Sequence, residues 1–424
     1  MSKQMGIAPE GGLFRLARSN SDFAKLWSGV TISDLGSSVT NLALPLVAVI
    51  TLQVGAKEMG FLNAATHLPV LLFALLAGVW IDRAKRKPIL VASAFGQGLV
   101  ISLVPAAALV GWLSIELLYI VAFTSGTLAM MYVLASTSFL PSIVKREDLV
   151  EGNARLQLST STTNVAGPGA AGYLVDILGA PLAILVDSVS YFLSGLFLLR
   201  IRFDESDNIR TRMDQRVIAA IKEGISTLFS HPILRAMTIG TTLASAAGAV
   251  QHTVWTLFLV RTLDITPIWL GIIGSVAGGA SIIGALSAVP LAKRMGAGWL
   301  MIIALLLEGI AMGVLPFAGH FGWMKLPAVI AIQAVFSLAL TLFSISQISL
   351  RQAVTPDRLL GRINATRRLV VFGIIPIAAL SGGYLGETFG WEATLLISAA
   401  IMMVAFTYLI LSSVRVSPEA VVTE

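Results

Sequence analysis

Five ionisable side chains, Asp34, His67, Asp187, His252 and Glu308, stand inside long apolar runs of this 424-residue sequence. Ionisable groups in hydrocarbon are costly, and they mark ion or substrate pathways by default. Asp34 heads a polar stripe, because Asp34, Ser37, Ser38, Asn41 and Pro45 fall at i, i+3, i+4, i+7 and i+11, one face of a helix. It lies about ten residues, roughly 15 Å, into its helix. A carboxylate at that depth is expensive as an anion, so a group that takes a proton from one side and releases it to the other fits the position. Asp34 is therefore the expected proton-coupling or cation-binding residue; a carboxylate merely hydrogen-bonded to nearby Ser or Thr is the competing reading. A second stripe runs through Thr241, Ser245, Gly248, His252 and Trp255 with Gln251 beside it, and a third through Gln333, Ser337, Thr341 and Ser344. For His67, Asp187, His252 and Glu308, interhelical hydrogen bonding competes evenly with a transport role.

Several chemistries are excluded. The four histidines are scattered and make no HExxH or other ligand cluster, so neither a metal site nor a metalloprotease is expected. There is no cysteine, and no P-loop GxxxxGK[ST] for ATP hydrolysis. Gly167-Pro168-Gly169-Ala170-Ala171-Gly172 spells GxGxxG, but it sits inside an apolar helix with no preceding strand and is no dinucleotide site. No enzyme activity and no cofactor are expected.

The elements that must carry these stripes are membrane helices. Hydrophobic residues make up 56% of the chain and charged ones 12%, about half the charge of an ordinary soluble domain; the mean hydropathy is +0.85. Apolar runs of helical length predict twelve spans, at 24–52, 58–80, 88–110, 114–140, 155–178, 180–200, 234–260, 267–290, 298–318, 326–350, 366–389 and 391–413. Lys and Arg number 26 in one set of loops and tails against 3 in the other, Lys57, Arg261 and Lys325. The positive-inside rule makes the first set cytoplasmic, with both termini inside. Basic residues spread over every second loop report topology and not a nucleic-acid surface. The longest polar stretch, 201–233, divides the chain into six-helix bundles at 1–200 and 234–424, and its second part has the spacing of an amphipathic helix on the cytoplasmic interface.

A shift of 211 residues superposes the two bundles. Gly172-Tyr173-Leu174 falls on Gly383-Tyr384-Leu385, Gly179 on Gly390, and Met59-Gly60 on Leu270-Gly271; Asp34 lands on Ser245 and Asn41 on His252. One offset across distant motifs predicts parallel repeats about an axis along the membrane normal, able to rock around a central site.

Gly78-Val79-Trp80-Ile81-Asp82-Arg83-Ala84-Lys85-Arg86-Lys87, at the cytoplasmic end of the second span, resembles the glycine-to-aspartate-arginine loop motif of the major facilitator superfamily. The resemblance implies that Gly78, Asp82, Arg83 and Arg86 form a conformational latch between the halves. Gly167, Pro168 and Gly172 look like the Gly-Pro motif of that superfamily's exporters, with Ser159 and Thr163 replacing its upstream glycines. Phe23 to Gly36, Leu140 to Ala154 and Thr355 to Arg362 resemble the branch containing the enterobactin exporter and macrolide efflux proteins. The resemblance implies a cavity lined by spans one, four, seven and ten, and three of these carry the stripes found above. The fourth span lacks the embedded arginine of proton-coupled drug exporters. The expectation is an all-α membrane protein with the major facilitator fold in a bacterial plasma (inner) membrane, working as a monomer with the bilayer, protons and a small molecule as its partners. Its activity is expected to be proton-coupled efflux of a lipophilic or amphipathic compound, such as an antibiotic or siderophore. Proton-coupled uptake, and a receptor or assembly factor that keeps the fold without transporting, are the alternatives.

Overall fold

The computed structural model describes residues 15–203 and 226–415. Among these residues there is no strand, and twelve long helices account for most of the chain. They are α1 Ser21–Leu46, α2 Ala56–Arg83, α3 Arg86–Leu109, α4 Ile115–Ile143, α5 Leu149–Leu178 and α6 Ala180–Leu199. The second six are α7 Pro232–Leu257, α8 Pro267–Met295, α9 Ala297–Val314, α10 Lys325–Val354, α11 Asp357–Phe389 and α12 Trp391–Ile410. Most of the expected linker, 204–225, lies outside the described residues, and with it most of the expected amphipathic helix.

Local sequence fixes the helix ends. The Asn20 side chain accepts from the backbone N–H groups of Asp22 and Phe23 and caps α1. Gly179 and Gly390, at φ +77° and +82°, turn α5 into α6 and α11 into α12 in a conformation that a Cβ disfavours. α8 runs five residues past its expected end, and the helix starts fall within three residues of the expected ones except at two, α5 beginning six residues before the apolar run and α11 nine. Both extensions are polar turns, such as the one where Arg155 meets Glu151 at 3.4 Å, and apolarity does not report them. Among the described residues nine segments are long and apolar enough to cross a membrane, one of them, Ala297–Val354, holding both α9 and α10. α2 and α5 fall outside that set; α5 carries an uninterrupted polar run from Ser159 to Asn164 in its middle.

The 211-residue repeat holds for backbone irregularities as well as for helices. α1 ends in a π turn, Val47–Thr51, and α7 in another, Phe258–Thr262. Gln53 and Asp264 both have φ near +50°, and the glycines at positive φ include the pairs Gly111 with Gly322 and Gly179 with Gly390. Packing follows the same rule: α1 rests on α5 and α6 as α7 rests on α11 and α12, and α3 packs on α4 and α6 as α9 packs on α10 and α12.

The two sets of six meet where α5 crosses α8 and α2 crosses α11. Lipid is as apolar as leucine, so association there depends on close approach and hydrogen bonds. Glycine supplies the approach. A Cβ on Gly172 would stand 2.8 Å from the Gly271 Cα, and one on Gly60 would stand 2.9 Å from the Gly383 Cα. These two crossings are exchanged by the repeat. All four glycines lie within about two turns of the helix ends opposite the basic loops, an end called here the neutral face. The largest buried apolar cluster also spans the sets near that face, through Leu46, Val47, Leu257, Phe258 and Leu263. Toward the basic face the cores are separate, one around Phe23, Leu26 and Phe139 and another around Ile233, Met237 and Leu350. Among the described residues the two sets are thus joined at the neutral face and keep separate apolar cores toward the basic face.

Candidate functional site

Among the described residues, three adjoining cavities lie between the sets, two of about 300 Å³ and one of about 140 Å³. The first lies among α1, α2, α4 and α7, with Asn41, Pro45, Asn63, Thr66, His67, Ser125, His252 and Thr256 on its walls. The second continues between α5 and α8 past Asn164, Pro168 and Trp255 to Gln333. The third adds Gly248, Gln251 and Phe336. Asn41, Pro45, His252, Trp255 and Gln333 are each shared by two or more of them. Among the described residues no Asp, Glu, Lys or Arg lines any of the three, and the walls they supply are amide, hydroxyl, imidazole and hydrocarbon. His67 and His252, one from each set, face the same cavity and lie within electrostatic reach of each other.

The expected stripes divide when helix neighbours are placed. On α1, Ser38, Asn41 and Pro45 line the cavities, whereas Asp34 and Ser37 turn to other helices. Asp34 Oδ2 accepts from Thr160 Oγ1 of α5 at 3.3 Å, and Ser37 Oγ bonds Tyr191 Oη of α6 at 2.8 Å. Of the α10 stripe only Gln333 reaches a cavity; the Ser337 hydroxyl accepts from Gln333 Nε2 at 3.5 Å, its carbonyl accepts from Ser281 of α8, and Thr341 packs toward Gly284 of α8. The stripe is at i, i+4, i+8, and each step of four residues rotates about 40° beyond a full turn, enough to carry Thr341 away from Gln333. Gln347 of α10 instead donates to Thr241 of α7. Ser245 is half-buried and is not among the residues that line the three cavities.

Two predicted acids are also away from the cavities. Asp187 is 1% exposed, held between α6 and α1, with Oδ1 accepting from Ser190 Oγ at 3.1 Å. Glu308 is likewise 1% exposed, on α9, and its Oε1 has no hydrogen-bond partner. The Gly-Pro motif is the joint of the structure. A Cβ on Gly167 would strike Ser38 of α1, the Pro168 ring packs on Gly274 of α8, and the Gly169 N–H donates to Ser275 Oγ at 2.9 Å. The latch motif is described in part: Arg86 opens α3, and the side chains of Gly78, Asp82 and Arg83 lie outside the described residues.

Other contacts were not singled out from sequence. Arg261 Nη2 donates to the Val49 carbonyl at 2.9 Å, joining the two π turns across the sets, and Asn63 Nδ2 donates to Thr253 Oγ1 at 3.3 Å. Arg261 had one readable signal: it is one of only three Lys or Arg residues in the loops of that face.

The transmembrane secretion effector family model matches residues 16–423. The chain is 23% identical to the multidrug efflux pump Tap of Mycolicibacterium fortuitum, over 88% of this chain and 90% of that one. It is 20% identical to macrolide efflux protein A of Streptococcus pyogenes, over 90% and 93%. A bacterial homologue of the iron transporter ferroportin superposes in its inward-facing state with a TM-score of 0.74 at 18% identity, over 92% of this chain and 98% of that one. The outward-facing state of a bacterial ferroportin homologue gives 0.57. Twelve membrane helices in repeated sixes, a cavity between them and a family match over nearly the whole length lead to one conclusion: the chain belongs to the transmembrane secretion effector family of major facilitator transporters and moves a small molecule across a lipid bilayer.

Proposed function

We propose that this transporter exports lipophilic or amphipathic small molecules in exchange for protons, by alternating access between bundles 1–200 and 234–424. The carrying observation is the cavity chain: it lies between the bundles, draws walls from both, and among the described residues shows no fixed charge. Such walls suit a substrate with large apolar area and a few hydrogen-bonding groups. That several relatives are efflux pumps supports the direction. The basic face is the cytoplasmic one in this reading, with both termini on that side of a bacterial inner membrane and the protein acting as a monomer. The structure is then the inward-open state, a reading supported by the higher score against an inward-facing neighbour. Asp34, half-buried on α1 and beside the bundle interface at α5, is the proton-binding residue.

The test is a flux screen in proteoliposomes with an imposed pH gradient, using a macrolide, ethidium and other lipophilic compounds. Movement of at least one compound against the direction of proton flow, abolished by a protonophore, is expected. Substrate moving with the protons would make the protein a symporter, and no flux of any compound would contradict a transport role built on this cavity.

A further inference from the structure

Behind the α1 face that lines the cavities, the first bundle holds a second polar cluster. Asp187 of α6 is sealed from solvent, and its Oδ2 has no hydrogen-bond partner. The Thr40 hydroxyl, buried and unpartnered although the residue also lines the first cavity, faces it from α1 together with Ser37. Ser37 Oγ bonds Tyr191 Oη at 2.8 Å, and Tyr191 lies within electrostatic reach of both Asp187 and Asp34. Tyr132 of α4 stands edge-on to Tyr191, with ring centroids 6.4 Å apart, and bonds Ser194 Oγ at 3.1 Å. Tyr132 is the remaining titratable group against the cluster; among the described residues no Lys, Arg or His acts on either carboxyl.

The repeat supplies an internal control for whether packing requires these groups. Shifted by 211, Tyr132, Asp187, Ser190, Tyr191 and Ser194 fall on Phe343, Ser398, Ile401, Met402 and Ala405. The same helix contact, α7 with α12, is therefore built largely from hydrocarbon, with Phe343, Met402 and Ala405 all buried. An orphaned buried carboxylate oxygen is destabilising, more so if ionised, and the second bundle shows that the fold can do without one.

We propose that Asp34 and Asp187 are two stations of one proton path, joined by the hydroxyls of Tyr191 and Ser37 and confined to the first bundle, so that protons and substrate use separate routes. In the transfer the Asp34 O–H bond breaks and its proton passes to Tyr191 Oη. The proton of Tyr191 passes to Ser37 Oγ, and that of Ser37 to Asp187. Asp34 is left as a carboxylate and Asp187 becomes a neutral acid, with both hydroxyls restored and no other reactant consumed. A proton on Oδ2 would then donate to Thr40 Oγ1, giving both orphaned atoms a partner. The physiological use of the path rests on the proton-coupled reading above; its existence does not.

The experiment is time-resolved infrared spectroscopy of the full-length protein in lipid nanodiscs after a pH jump, which follows protonated carboxyl groups and needs no substrate. Wild-type protein is expected to show a titrating carboxyl band that Asp187→Asn removes. Asp34→Asn and Tyr191→Phe should each keep that band and slow its appearance by about tenfold or more, the scale of a lost proton-transfer partner. If Asp187→Asn does not assemble, Asp187→Glu should shift the same band, and Tyr191→Phe, which loses one oxygen, still reads the rate. No titrating band from Asp187, or an unchanged rate in both Asp34→Asn and Tyr191→Phe, overturns the proposal. A wild-type protein that shows these bands but no pH-driven flux removes the exporter reading and leaves the path standing. Proton-driven flux with an unchanged rate in the two variants does the reverse.

Discussion

The first and second bundles share a backbone down to their π turns, and they differ in where polarity is placed. In the first bundle, acids and hydroxyls lie between helices, at Asp34, Ser37, Asp187 and Tyr191, away from the cavity walls. In the second, the equivalents of Tyr132 and Tyr191 are Phe343 and Met402, while Gln251, His252 and Gln333 face the cavity together with Asn41, Asn63 and His67 of the first. Duplication set the packing; on it both bundles offer hydrogen bonds to the cavity, and the first alone also buries the cluster of acids and hydroxyls proposed above to carry protons. The joint between them stayed symmetric, since both glycine crossings remain.

The comparison therefore calls for equal effects at the joint and unequal effects elsewhere. The largest change expected is from Gly172→Val and its partner by symmetry, Gly383→Val. Each adds carbon where backbone atoms of the facing helix stand about 3 Å away, and overpacking of at least about 3 kcal/mol should nearly abolish transport in both. A transport assay in which one variant is dead and the other normal would break the symmetry of the joint. Next, Asp34→Asn should reduce pH-driven transport by about tenfold or more, while Ser245→Ala, at the equivalent position, stays within about twofold. Ser398→Ala, opposite Asp187 in the repeat, should be nearly neutral too, because its hydroxyl donates only to the carbonyl of Leu395 one turn earlier.

A smaller effect is expected at the neutral face. Arg261 donates to Val49 across the bundles, and its repeat equivalent is Ile50, so this tie is one-sided. A hydrogen bond from a charged donor is worth about 1.5 kcal/mol or more, so Arg261→Ala should move the equilibrium toward the neutral-face-open state by roughly tenfold. Spin-label distances across that face would measure it, with Ile50→Ala as the unresponsive counterpart. Smallest of all, Glu308→Gln should leave transport within about twofold, since Glu308 lies away from both the cavities and the acid cluster; its own repeat equivalent is Gln97, equally buried.

Helices and repeat were legible because apolar runs and loop charges report them directly. The repeat offset even paired Gly60 with Gly271 and Gly172 with Gly383, although nothing in one sequence says that these glycines touch across the pseudo-axis. The helical starts at Leu149 and Asp357 were hidden by their own charges. The site was half legible. Asn41, His252, Trp255 and Gln333 reach the cavity as their stripes predict, but Asp34, Asp187, Ser337 and Thr341 do not, since helical spacing gives a face and not the neighbour that covers it. Tyr191 gave no signal, because its meaning lies in a partner 154 residues away.

The central claim is that protons bind in the first bundle while substrate binds between the two. Its most direct test measures both fluxes at once in proteoliposomes containing a pH-sensitive dye and a compound that the wild-type protein carries. With Asp34→Asn, downhill movement of the compound should continue while its accompanying proton movement disappears. Proton movement that persists undiminished in Asp34→Asn, in step with the compound, would contradict the account.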